Sequence, residues 1–193
     1  MSAGRLSALL LDLDGTLLDT APDMVGALNR LRAEEGRAAL PFLAVRPHVS
    51  HGAAALVRFG FGTPEAVEFE RLRRRFLALY EADLHSGTRL FEGFAAVLET
   101  LEARAIPWGI VTNKPGYLTT PLHAAGLIGR EPGACVYAGD AERDIVAGRA
   151  AGMRTVAVRF GYLAVGEDPE AWRPDAVVAR PAELLGLLDV TGA

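Results

Sequence analysis

Hydrophobic and polar positions follow two different periods along this chain. Residues 6–13 form a short apolar run closed by Asp14-Gly15, without helical spacing, which predicts a buried strand running into a turn. From residue 22 to about 35, Met24, Val25, Leu28 and Leu31 recur at helical intervals, with Thr20 placed to cap the start and Gly36 to end the helix. The same spacing continues over 41–49, 53–59 and 64–84, the last with Val67, Phe69, Leu72, Phe76, Leu79 and Tyr80 along one side. Residues 20–86 therefore read as helix and loop throughout.

Beyond this block the two periods alternate. Helical patterns over 94–105, 117–125, 141–151 and 182–188 interleave with apolar strands over 107–112, 134–138, 154–158 and 176–178. Such alternation implies a mostly parallel sheet with covering helices. The fold class expected is α/β: a Rossmann-like parallel-sheet core from 1–19 and 87–193, with a helical cap domain, 20–86, inserted after the first strand.

Composition narrows this picture without changing it. With 193 residues, half of them apolar, the chain has enough hydrophobic surface to offset its conformational entropy, which excludes wholesale disorder. A net charge of −4, with basic residues clustered only at Arg71, Arg73, Arg74 and Arg75, is not that of a nucleic-acid protein. These four read as a solvated helix face, and a small ligand or another protein is the expected partner of a monomer or homodimer. The single cysteine, Cys135, excludes a disulfide framework and reads as a buried, inert strand residue. Asp12 and Asp14 interrupt the first apolar run before it resembles a signal peptide, and no stretch reaches the roughly 18 apolar residues of a membrane span. A soluble, cytoplasmic protein is expected.

The chemistry gathers at strand ends, where open parallel sheets bind their ligands. Asp12 and Asp14 follow the first strand, Thr112 and Asn113 the second, and Asp140 and Asp144 the next. Each alone has an ordinary structural explanation: a turn, a helix cap, or a favourable charge in a helix's first turn. Their coincidence at three successive strand ends does not. Four converging carboxylates need a cation, and oxygen ligands without His or Cys select Mg²⁺. An EF-hand is excluded because the segment starting at Asp12 lacks glycine at its sixth position. If Asp12 attacks a phosphoryl group, Asp14 can protonate the leaving oxygen and then activate water, which is phosphomonoester hydrolysis through an aspartyl-phosphate. Gly15-Thr16 and Thr112-Asn113 offer donors to the phosphoryl oxygens.

Three segments carry a resemblance: LLLDLDGTLLDT, GIVTNKP and VYAGDAERDIVAGRAAGMRTVAV. They resemble the first, second and fourth motifs of the haloacid-dehalogenase superfamily, in its phosphoglycolate phosphatase-like branch, close also to N-acetylmuramic acid 6-phosphate phosphatases. The resemblance spans nearly the whole chain. It implies Asp12 as nucleophile, Asp14 as acid/base, Thr112 as phosphate-binding hydroxyl beside Asn113, and Asp140 as a Mg²⁺ ligand. It further implies that Asp144 orients the metal's water shell and that the main-chain carbonyl of Asp14 completes the metal site. The expected function is thus Mg²⁺-dependent hydrolysis of a small organic phosphate, first 2-phosphoglycolate, with a sugar phosphate as the alternative. The cap would choose between them, with Arg46, His48, Ser50 and His51 of RPHVSHGA read either as substrate contacts or as surface and capping groups.

The chain departs from the family at one point. Residues 123–133 lead straight into the fourth-motif strand, so that roughly one β-α unit, of order 25 to 30 residues, has no counterpart, and with it goes the third-motif lysine. Lys114 is the only lysine and belongs to the second motif. The competing expectation is therefore a catalytically impaired relative that binds phosphate compounds or a partner. Lys114, Arg130 and Arg143 are the cations placed to substitute. The shortened connection must also carry the chain from strand two to the other side of strand one.

Overall fold

The computed structural model describes residues 7–83, 86–112 and 129–188. The chain divides into two compact units, one of Met1–Leu17 with Leu90–Ala193 and the other of Leu18–Arg89.

The first unit is built on five parallel strands: β1 (Ala8–Leu11), β4 (Trp108–Ile110), β5 (Cys135–Gly139), β6 (Arg154–Val158) and β7 (Ala176–Val178). Their order is β4-β1-β5-β6-β7. Every residue of β1 and β5 is buried, which is why their sequences are continuous apolar runs rather than alternations. Leu10 is in register with Tyr137 and Ala8 with Cys135, and these four pack with Val111 and Met153 in one core cluster. Helices α5 (Phe94–Ala103) and α6 (Glu142–Ala150) belong to this unit. α5 turns Phe94, Val97 and Leu101 inward; α6 turns Ile145 onto Ala157 and Trp172. The α/β reading of the sequence holds here.

The second unit contains four helices among the described residues: α1 (Ala21–Glu34), α2 (Phe42–Val45), α3 (Gly52–Phe61) and α4 (Ala66–Glu81), with a 3-10 segment, Arg46–His51, between α2 and α3. Met24, Val25, Leu28 and Leu31 of α1 are buried with Leu56 and Val57 of α3 and Leu72, Phe76 and Tyr80 of α4. Gly60 of α3 gives room to Leu28, whose Cδ1 lies 2.9 Å from where a Cβ would stand. The arginine run is a solvated face laced with ion pairs, Arg71 to Glu35 and Glu68, Arg73 to Glu70, and Arg75 to Glu34.

Several elements differ from expectation. The first strand ends at Leu11, because the chain turns at Asp12 instead of continuing to residue 13. Two short strands, β2 (Leu18–Asp19) and β3 (Arg89–Leu90), form a separate two-stranded sheet that hydrophobic patterning does not announce. The closing helix is a 3-10 helix, Pro181–Leu187. Val67 is 86% exposed, being in the first turn of α4 before its apolar stripe begins. Thr20 occupies the N-cap of α1 without a side-chain cap bond; its hydroxyl donates to Met24 Sδ at 3.9 Å. Trp108, within the apolar strand expected over 107–112, is half-buried and donates from Nε1 to Glu102 at 2.7 Å, β4 being an edge strand among the described residues. β4 and β5 flank β1 on opposite sides, and most of the connection between them, including the helix expected over 117–125, lies outside the described residues.

Candidate active site

Strand register sets the site. β1 pairs with β4 and β5, with Leu11 level with Ile110 and Ala138, so the residues that follow these strands emerge together at one sheet edge. Asp12 is anchored there by its own backbone: its N–H donates to Ala138 O at 2.9 Å and its carbonyl accepts from Leu17 N–H at 3.2 Å. The second bond closes the loop 12–17, in which Gly15 takes φ +92°, a conformation that favours glycine.

Asp140 leaves β5 and Asp144 lies in the first turn of α6. Ligand oxygens of Asp12, Asp140 and Asp144 all lie within 4.8 Å of one another, and the three residues are 2–3% exposed. Asp140 Oδ2 accepts the Tyr162 N–H at 2.8 Å. Asp144 Oδ2 accepts the Ala141 N–H at 3.0 Å, and its carboxylate also accepts the Tyr137 hydroxyl. Three glycines make room for this packing. A Cβ at Gly15 or Gly161 would collide with Asp140, and one at Gly139 with Asp144.

Burial first, then the charges of Asp144 and Asp140, push the Asp12 carboxyl well above the ordinary carboxylate range. Burial raises Asp144 as well, against the opposing influence of Arg143. Asp12 Oδ2 and Thr16 Oγ1 are buried and meet no hydrogen-bond partner among the described residues. A buried carboxylate oxygen facing two further carboxylates is stable when a cation completes it, and an all-oxygen donor set suits a hard divalent ion. The residues present fit a metal of the Mg²⁺ class.

The remaining expected site residues are placed unevenly. The Asp14 side chain is half-buried and is not among the three clustered carboxylates. Thr112 is half-buried just past β4, after Val111, whose N–H donates to Leu11 O at 2.8 Å. Asn113 and Lys114 lie outside the described residues. In the helical unit, the His48 ring stacks on Phe59 at 4.1 Å, Ser50 is 8% exposed, and His51 is exposed at the N-cap of α3. Sequence reasoning missed Tyr137, Gly161 and Tyr162. The signal for the last two was the Gly-Tyr pair just past the end of β6, which runs parallel beside β5; Tyr137 was hidden as one more apolar strand residue.

A family model described as haloacid dehalogenase-like hydrolase matches residues 9–121, and a second, HAD-hydrolase-like, matches 111–184. A phosphoglycolate phosphatase of Xanthomonas campestris pv. campestris is 39% identical over 207 positions, covering 92% of this chain and 94% of that protein. An N-acetylmuramic acid 6-phosphate phosphatase of Pseudomonas putida is 38% identical over 216 positions, with coverage of 96% and 97%. Among solved structures, a haloacid dehalogenase-like hydrolase of Streptococcus pneumoniae superposes with a TM-score of 0.78 at 18% identity, covering 94% and 97% of the two chains. A HAD family hydrolase of Deinococcus radiodurans, solved with bound phosphate and sodium, gives 0.65 at 22% identity, covering 97% and 99%. In the Xanthomonas alignment 92% of 193 residues is about 178, so about 29 of the 207 positions have no residue in this chain.

Proposed function

The chain belongs to the haloacid dehalogenase-like hydrolases, and we propose that it is a Mg²⁺-dependent phosphomonoesterase acting on a small organic phosphate, with 2-phosphoglycolate as first candidate and N-acetylmuramic acid 6-phosphate as second. The observation that carries this reading is Asp12, a buried carboxylate with one unpartnered oxygen, held within 4.8 Å of Asp140 and Asp144. The two candidate substrates are those named for the relatives at 39% and 38% identity.

In this reading Asp12, Asp140 and Asp144 hold the metal, with the main-chain carbonyl of Asp14. When bound, the ion offsets the charge of the carboxylates and of the phosphoryl oxygens. The Asp12 carboxylate attacks phosphorus and forms an acyl phosphate as the ester P–O bond breaks, while Asp14 gives its proton to the departing oxygen. Asp14 then takes a proton from water, whose oxygen attacks the same phosphorus and releases Asp12 and inorganic phosphate. The loop N–H groups around Gly15-Thr16, with Thr112 and Asn113, hold the phosphoryl oxygens. Asp14 is suited to this exchange because it stands outside the buried carboxylate group and is half-exposed. The helical unit, Leu18–Arg89, serves as the cap, and its Arg46–His51 segment takes part in choosing the substrate.

The test is phosphate release from p-nitrophenyl phosphate and from the two candidate esters, with Mg²⁺ and with EDTA. Activity is expected with Mg²⁺ alone and lost in Asp12→Asn. Undiminished hydrolysis by that variant would overturn the mechanism. Exchanging residues 46–51 for those of the Pseudomonas relative should reorder the substrates and leave Mg²⁺ dependence unchanged.

A further inference from the structure

Three buried carboxylates outweigh one divalent cation, and a phosphomonoester dianion adds to the excess, so a site of this kind requires fixed positive charge from the protein. The chain has one lysine, Lys114, outside the described residues. Arg130 bonds to the Gly129 carbonyl at 3.3 Å and exerts its charge on Cys135, the first residue of β5. Asp140 follows the other end of that five-residue strand, about 16 Å away at the rise of an extended chain. Arg149, Arg159 and Arg180 are engaged with the Trp172 and Arg173 carbonyls, with Asp168 and Glu170, and with Glu183.

Arg143 is placed differently. It precedes Asp144 in the first turn of α6, and its Nε stands 3.8 Å from Asp144 Oδ1. The distance is too long for a direct hydrogen bond, so the guanidinium is not consumed by a tight pair. Its side chain is 35% exposed where that of Asp144 is 2% exposed, so the cation stands at the rim of the buried cluster, with donors that no described residue takes up.

We infer that Arg143 is the charge-balancing residue of this site, offsetting the Asp12–Asp140–Asp144 cluster and, with substrate bound, its phosphoryl group. The phosphoryl half of this inference rests on the phosphatase reading. A planar guanidinium suits that task, because it stays charged beside a metal and presents several donors to phosphate oxygens.

The role has a signature that a merely structural one lacks. A cation beside a metal site opposes the metal and attracts the anion, so removing it moves the two affinities in opposite directions. The experiment titrates Mg²⁺ alone into Arg143→Ala, Arg143→Gln, Arg143→Lys and the unaltered chain, then titrates inorganic phosphate into each at saturating Mg²⁺, by calorimetry. The expected result for Ala and Gln is Mg²⁺ binding about threefold tighter and phosphate binding about tenfold weaker, with Lys close to the unaltered chain on both. Both affinities falling together, neither moving, or Gln matching the unaltered chain would overturn the inference. Failure of the unaltered, Mg²⁺-saturated chain to bind phosphate would overturn the phosphatase reading instead, and the Mg²⁺ titrations would still decide whether Arg143 balances the cluster.

Discussion

The Asp140 carboxylate occupies the space where a side chain at position 15 would stand, so Gly15 and Asp140 are fitted to one another across two strand ends. Gly15 also holds φ +92°. Alanine there meets two penalties, about 1–2 kcal/mol for the left-handed backbone and the displacement of one of the three clustered carboxylates. Gly15→Ala is expected to lower the urea midpoint and to weaken Mg²⁺ binding at least about tenfold. An unshifted Mg²⁺ titration would show that Asp140 can move without cost.

The pH dependence of stability follows from Asp12. Burial and its two carboxylate neighbours raise its value in the folded chain, so the folded protein holds a proton that the unfolded one has released. Without metal, this group's contribution to stability is favourable at low pH and is lost as pH rises from the ordinary carboxylate range through the raised folded value. Bound Mg²⁺ reverses the preference by favouring the charged form. The rise in Tm on adding Mg²⁺ should therefore be larger at pH 8 than at pH 5, and Asp12→Asn should reduce the difference. Equal increments at the two pH values would remove Asp12 from the metal site.

Asp23 is a buried carboxylate far in sequence from the groups it serves. It accepts from the Gly87 N–H at 2.7 Å, the Thr88 N–H at 2.8 Å and the Thr88 hydroxyl at 2.6 Å, tying the first turn of α1 to the end of the helical unit. Asp23→Ala strands these donors and is expected to cost about 2–3 kcal/mol in urea unfolding, with Asp23→Asn costing less because one oxygen acceptor remains. A loss below about 0.5 kcal/mol would show that water replaces the carboxylate.

How far each feature was legible depended on which atoms define it. The strands around the site were readable because parallel strands buried on both faces must be apolar throughout, as β1 and β5 are. Asp12, Asp140 and Asp144 were readable because charged residues at the ends of such runs are costly without a purpose. The two-residue strands β2 and β3 were not, since elements so short are made by pairing between distant segments and have no period of their own. Gly161 and Tyr162 matter through a glycine's missing Cβ and a main-chain N–H, neither of which depends on side-chain chemistry that a pattern can display. Val67 shows the opposite error, an apolar residue in phase with a helical stripe but exposed in the first turn of α4.

The shortened connection offers a test of how charge is shared in this site. About 29 positions of the Xanthomonas phosphatase alignment have no residue here, and the family resemblance implies that the third-motif lysine belongs to the β-α unit without a counterpart before β5. Grafting that segment into the connection before β5 is expected to raise turnover of p-nitrophenyl phosphate by about 100-fold, the effect of one preorganised electrostatic contact. If Arg143 carries the site's fixed charge in the unaltered chain, a grafted lysine shares that burden. Arg143→Ala should then cost clearly less in the graft than in the unaltered chain, a coupling that a double-mutant cycle measures as the difference between the two losses. Equal losses in the two backgrounds would mean that arginine and lysine act on separate groups, so that the grafted lysine does not share the arginine's burden.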